Sequence, residues 1–171
     1  MAARKRKHLD DYELADDGSY VYRGEYWRWT RPQERSGFLR TAWALTGAGF
    51  ACLLGAGCVP LGSGLAVLAL IPYGITWLLI AFHIASLWRL TREGEAIRAH
   101  VYTATVERLR ALVPLAAVAS FASAVGALIS LALGTLAWKG AVPFGVLMAG
   151  TGIFLSQLRR RLTTLAFTRD A

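Results

Sequence analysis

Residues 41–88 and 111–158 are two runs of 48 residues that together carry one charged side chain, Lys139. A helix that crosses a bilayer needs about 20 apolar residues. Each run is therefore too long for one span and long enough for two. Each also contains a break: Cys58-Val-Pro-Leu-Gly-Ser-Gly64 in the first and Ala137-Trp-Lys-Gly-Ala-Val-Pro143 in the second. Clusters of Pro and Gly mark turns. The pattern predicts an all-α, integral membrane four-helix bundle of two transmembrane hairpins, with spans over 38–58, 64–89, 112–137 and 142–159. Pro143 is expected in the first turn of the last helix, where its missing N–H costs nothing.

The charges outside the runs set the threading. Nine Lys and Arg precede the first span, five lie in the connection 90–111 and its borders, and four in the tail. That makes eighteen of nineteen on one side, with Lys139 alone on the other. By the positive-inside rule both termini are expected in the cytoplasm, in a multi-pass protein of the plasma membrane. The net charge of +8 then follows from topology and contact with anionic lipid. A nucleic-acid partner is not expected, since that reading needs a soluble basic face with aromatic platforms. No apolar run occurs in the first 37 residues, so the first span is expected to act as an uncleaved anchor.

The chain divides into an N-terminal segment, 1–36, and a transmembrane domain, 37–171, with a cytoplasmic loop at 90–111 and a basic tail. In the N-terminal segment a basic arm is followed by Asp16-Asp17-Gly18-Ser19, a turn signal, and then by aromatics in short alternation: Tyr20, Tyr22, Tyr26, Trp27 and Trp29. This predicts a short β-hairpin-like segment or a small meander. Alternation puts Trp27 and Trp29 on one face and Tyr26 and Arg28 on the other. These five aromatics are the candidate interfacial or docking residues. The stretch 95–110 lacks Pro and Gly and is expected to be helical.

Lipid gives little hydrophobic drive between helices, so small residues mark the faces where backbones approach. In the third span Ser120, Ser123, Gly126, Ser130 and Gly134 fall on one side. Val118, Phe121, Val125 and Leu128 lie mostly opposite. The fourth span carries Gly145, Ala149 and Gly152, and the first carries Gly47, Ala51 and Gly55. In the second, Thr76 and His83 share a side, and Pro72 predicts a kink. These residues are candidates for helix packing or, in an oligomer, for lining a pore.

Chemistry is sparse. Away from the span ends, His83 is the one His, Lys, Arg, Asp or Glu inside a predicted span, and such residues are the default functional candidates in membranes. Cys52 and Cys58 form no C-x-x-C and are read as packing residues. No residues are nominated as catalytic or as metal ligands, and no cofactor is expected. The partners expected are the lipid bilayer and either another membrane protein or a second copy of the chain. The leading expectation is a non-catalytic subunit or scaffold that associates through small-residue helix faces. The alternatives are a homo-oligomeric channel, holin-like pore or small transporter, and a membrane enzyme using His83 or His100.

Overall fold

The charge-free runs fold as four long helices, in a computed structural model that describes residues 12–14, 20–22, 24–61 and 66–170, with backbone alone for 12–14, 20–22 and 170. Helix α1 runs Glu34–Gly57, α2 Val67–Arg92, α3 Ala99–Ala132 and α4 Trp138–Thr163. All four are long and apolar enough to cross a membrane, and the chain is a multi-pass α-helical membrane protein. The shortest helix has 24 residues. At 1.5 Å per residue it reaches about 36 Å, more than the ~30 Å hydrocarbon core of a bilayer.

Among the described residues five short strands accompany the helices. β1 (Tyr12–Leu14) pairs with β2 (Tyr20–Tyr22), antiparallel, with Tyr12 opposite Tyr22. The expected Asp16–Ser19 turn between them lies outside the described residues. β3 (Tyr26–Trp29) is the centre of a second sheet, flanked by β4 (Ala96–Arg98) and β5 (Phe167–Asp170), both antiparallel to it. Trp27 stands opposite Ile97 on one side and Arg169 on the other. The aromatic segment 20–29 is thus not one hairpin: β2 pairs upstream, while β3 pairs with strands about 70 and 140 positions away. The reason is that β3 follows a two-face pattern whose Trp side can be buried only against the helix ends.

That second sheet draws one strand from the N-terminal segment, one from the α2–α3 connection and one from the tail. All three therefore lie at one end of the bundle. Trp29 is 4 % exposed and packs on Phe38 of α1 and Phe167 of β5, with ring centroids at 5.8 and 4.8 Å. Trp27 stacks on Tyr102 at 4.4 Å. Arg169 donates to the Glu25 carboxylate, which ties β5 to the residue before β3. That hydrogen bond, with the carboxylate's charge, raises the Arg169 guanidinium above its ordinary pKa.

α3 begins in this sheet end. Its second turn, Thr103–Glu107, is a π-turn, which one extra residue per turn produces inside an otherwise α-helical run. Thr105 and Val106 are buried there, and the Thr105 hydroxyl donates to the Val101 carbonyl at 2.7 Å. The expected helix over 95–110 thus starts later, at Ala99, because residues 96–98 are taken by β4.

At the opposite end α3 stops earlier than expected, at Ala132, through a Schellman motif. Gly134 is in the left-handed region, with φ +70°. The Thr135 N–H donates to the Ser130 carbonyl at 2.9 Å and the Gly134 N–H to the Leu131 carbonyl at 3.0 Å. These bonds satisfy carbonyls that a helix end would otherwise leave bare. Gly134 is accordingly a turn residue and not part of the packing face of α3. Leu136 folds back and is buried. α4 starts at Trp138, so Pro143 is its sixth residue and not in its first turn. Gly140 permits this start: a Cβ there would stand 2.6 Å from the Pro60 carbonyl oxygen.

Candidate functional site: the seam between the first two helices

Three of the four helix seams are close. α3 packs tightly on α4, α2 on α3 and α1 on α4. Small residues recur on the buried faces at these seams: Ala116, Ala117, Ser120, Ser123, Ala124, Gly126 and Ala127 on α3, and Gly140, Ala141, Gly145 and Gly152 on α4, where they alternate with Phe144, Met148 and Leu155. Thr151 of α4 donates to the Gly49 carbonyl of α1 at 3.2 Å, and a Cβ on Gly49 would lie 3.6 Å from Phe154.

The tightest approach sits where a proline has freed a carbonyl. Pro72 has no N–H to donate to the Leu68 carbonyl four residues earlier. Gly126 of α3 lies against that carbonyl so closely that a Cβ would overlap it. The hydrogen that glycine carries in place of Cβ points at the oxygen, as in Cα–H···O contacts between helices. Three residues earlier, Ser123 donates to the neighbouring Ala69 carbonyl at 2.7 Å.

The fourth seam, between α1 and α2, is different. These two helices are consecutive and antiparallel, yet their backbones approach little. Large side chains fill the gap in successive rungs. At the sheet end the Trp43 indole donates to Thr91 at 3.0 Å and meets the Trp88 ring edge-on at 6.3 Å. Next, Thr46 Oγ1 and His83 Nε2 lie 2.8 Å apart. Phe50 then meets Trp77 edge-on at 5.5 Å, and the Tyr73 hydroxyl donates to the Leu53 carbonyl at 3.4 Å.

His83 is 0 % exposed, and its Nδ1 has no hydrogen-bond partner among the described residues. A neutral imidazole carries one donor and one acceptor nitrogen, so one of the two roles is unfilled. No group of three or more His, Cys, Asp and Glu occurs among the described residues. His100 lies in the first turn of α3 beside the sheet, at another level of the bundle, so the two histidines do not form one site. Cys52 and Cys58 are free thiols.

The Thr46–His83 contact is a testable tie between α1 and α2. Thr46→Val keeps the shape and removes the hydroxyl, so Nε2 loses its partner and both imidazole nitrogens are left unbonded. The expected loss is about 1 kcal/mol, as for hydrogen bonds between membrane helices. It should be recovered in part when His83→Leu is added. Thermal unfolding of the four members of this double-mutant cycle in mild detergent measures the coupling, and additive losses would dissolve the tie.

The other residues singled out from the sequence fall into three groups. Ser120, Ser123, Ser130, Thr76 and Gly126 are buried inside the single chain. Ser120 donates to Ala116 and Thr76 to Pro72, each one turn back on its own helix. Gly145 and Gly152 are buried as well, Gly152 beneath the Phe121 ring, while Ala149 is half-buried. Gly47 and Ala51 are exposed, and nothing lies within 4 Å of a Cβ placed on Gly47. Within the chain α1 packs through Ala42, Thr46, Gly49, Leu53 and Ala56, not through Gly47 and Ala51. Gly55 is half-buried, with a Cβ position 3.4 Å from Leu147. Of the five docking candidates, Trp27 and Trp29 pack within the chain, Tyr26 is half-buried, and the side chains of Tyr20 and Tyr22 lie outside the described residues.

Comparison with protein-family models, with curated proteins and with solved structures finds no match.

Proposed function

We propose that the protein is a non-catalytic membrane subunit that associates with another membrane-spanning helix through the outward face of α1. One contrast supports this reading. The exposed positions of α2 are bulky, among them Leu68, Ile71, Ile75, Leu78 and Phe82, and those of α3 include Leu115, Val118, Val125 and Leu128. From Thr41 to Leu54 the exposed positions of α1 are instead Ala44, Gly47 and Ala51, with Leu54 as the large exception. Lipid chains pack as well against Leu as against Ala, whereas another helix backbone can approach closely only over small residues. The buried serines and threonines, engaged with carbonyls, weigh against a water-filled lumen within one chain.

The orientation follows from charge: the sheet end, which holds thirteen of the fourteen Lys and Arg among the described residues, faces the cytoplasm of a plasma membrane. The occupant of the α1 face is a partner subunit or a second copy of the chain. Gentle extraction and mass measurement of the complex should give more than one 18.6 kDa chain. The double variant Gly47→Leu/Ala51→Leu should reduce it to a single chain with unchanged thermal stability, since both positions are open. Association that survives this variant removes the α1 face from consideration.

A further inference from the structure

At the sheet end a pocket of about 150 Å³ opens between the start of α1 and the end of α4, lined among others by Trp29, Arg31, Glu34 and Thr164. A water's share of liquid volume is about 30 Å³, so the space takes a small polyatomic group. Trp29 is 4 % exposed and its indole N–H has no acceptor among the described residues. A buried donor of this kind ordinarily has a partner. Thr164 also borders an open groove with Gln157, Arg160 and Arg161, so the pocket continues into a basic surface. Glu34 is the one lining carboxylate among the described residues, paired with Arg31 at 3.0 Å, and both side chains are more than half exposed. The N-terminus of α1, with its partial positive charge, begins at the same place.

We propose that this pocket binds a phosphate group. Arg31 and Glu34 offset each other in the pocket itself, while Arg160 and Arg161 of the adjoining groove and the unpartnered indole N–H favour a ligand that brings acceptors and negative charge. A tetrahedral oxyanion can accept from an indole N–H and from guanidinium groups in separate directions, and Arg is suited to phosphate. The pocket lies just past the last apolar turns of α4, Leu158 and Leu162. That is the level at which a bilayer presents its headgroups. The phosphate therefore comes either from an anionic phospholipid or from solution.

The test uses the full chain in neutral detergent, with thermal unfolding as the readout. Phosphatidylglycerol, diacylglycerol of the same acyl chains and inorganic phosphate are titrated separately. Phosphatidylglycerol should raise the midpoint of the wild type, and diacylglycerol should not. Trp29→Phe keeps a benzene ring and removes the N–H with the rest of the indole. It should unfold at a lower temperature than the wild type without ligand and need about tenfold more phosphatidylglycerol for the same shift. Glu34→Gln frees Arg31 and removes the opposing charge, so it should respond at lower lipid concentration. Arg31→Gln should respond at higher. If Trp29→Phe fails to fold, the opposite signs of the two exposed variants carry the test. A response to inorganic phosphate as strong as to the lipid assigns the site to soluble phosphate. A response to the lipid alone assigns it to headgroups. Equal responses of wild type, Trp29→Phe and Glu34→Gln would overturn the pocket as a phosphate site.

Discussion

Gly126→Leu should leave almost no folded protein, and Gly126→Ala should already be strongly destabilising. The Cβ of either residue would overlap the Leu68 carbonyl, and the next nearest atoms are also α2 backbone, the Leu68 carbonyl carbon and Ala69 N. Backbone cannot rotate away as a side chain can. The two helices must separate, which also stretches the 2.7 Å bond from Ser123 to the Ala69 carbonyl. Overpacking of this kind costs about 3 kcal/mol for one carbon, against a total stability of about 5–15 kcal/mol. Gly152→Ala is the informative comparison. Its Cβ would press the edge of the Phe121 ring at 2.8 Å, and Phe121 is exposed and free to turn toward lipid. The expected loss there is smaller, about 1 kcal/mol. Gly47→Ala, in open space, should fall within about 0.5 kcal/mol of the wild type. Thermal unfolding in mild detergent ranks the three. A Gly126→Ala protein as stable as Gly47→Ala would mean that α2 is not seated on α3 at Leu68.

The same glycines show where sequence reasoning stops. The four spans were legible because charge is nearly excluded from two 48-residue runs, and lipid leaves the backbone only helices or closed barrels, of which runs without polar alternation fit the helix. Which face of a span turns inward was only partly legible. On α3 the small residues occupy one side and large ones the other, and the helix buries the small side. On α1 small residues occur on both sides: Ala42, Thr46, Gly49 and Ala56 inward, Ala44, Gly47 and Ala51 outward. Spacing alone cannot choose between two stripes of equal size; the position of α4 chooses. Gly134 reads as the next member of a helical stripe until the Schellman turn ends the helix before it. The strand character of residues 26–29 was local and visible. Its partners were not, since nothing in β3 encodes that residues 96–98 and 167–170 come to it. Nor did composition reveal the wide α1–α2 seam: Trp43, Phe50, Tyr73 and Trp77 look like interface aromatics or lipid-facing ones until they meet across it.

Ending the chain at Thr164 should open the sheet end while leaving the four helices in place. The helices are held by contacts along their own lengths, from Gly126 against Leu68 to Thr151 against Gly49, and none of these involves the tail. The sheet end depends on it at several points. Truncation removes β5 and with it one of the two ladders of β3. It removes the Ala166 carbonyl that accepts from the Thr30 N–H at 3.2 Å and the Leu165 carbonyl that accepts from Arg110 at 2.9 Å. It removes Phe167, whose ring lies against both Trp29 and Tyr102. Trp29 then loses one wall of its packing and gains water. Losing the burial of a large aromatic is worth about 3–5 kcal/mol, more than a strand of four residues bonded only to β4 is expected to retain. The expected signs are tryptophan emission moved to longer wavelength and protease cleavage within residues 24–33 that the full chain resists, with helical circular dichroism preserved. Loss of the helical signal as well would show that the sheet does more than close the end: α1 and α4, which it joins through β3 and β5, would then need that closure to stay paired.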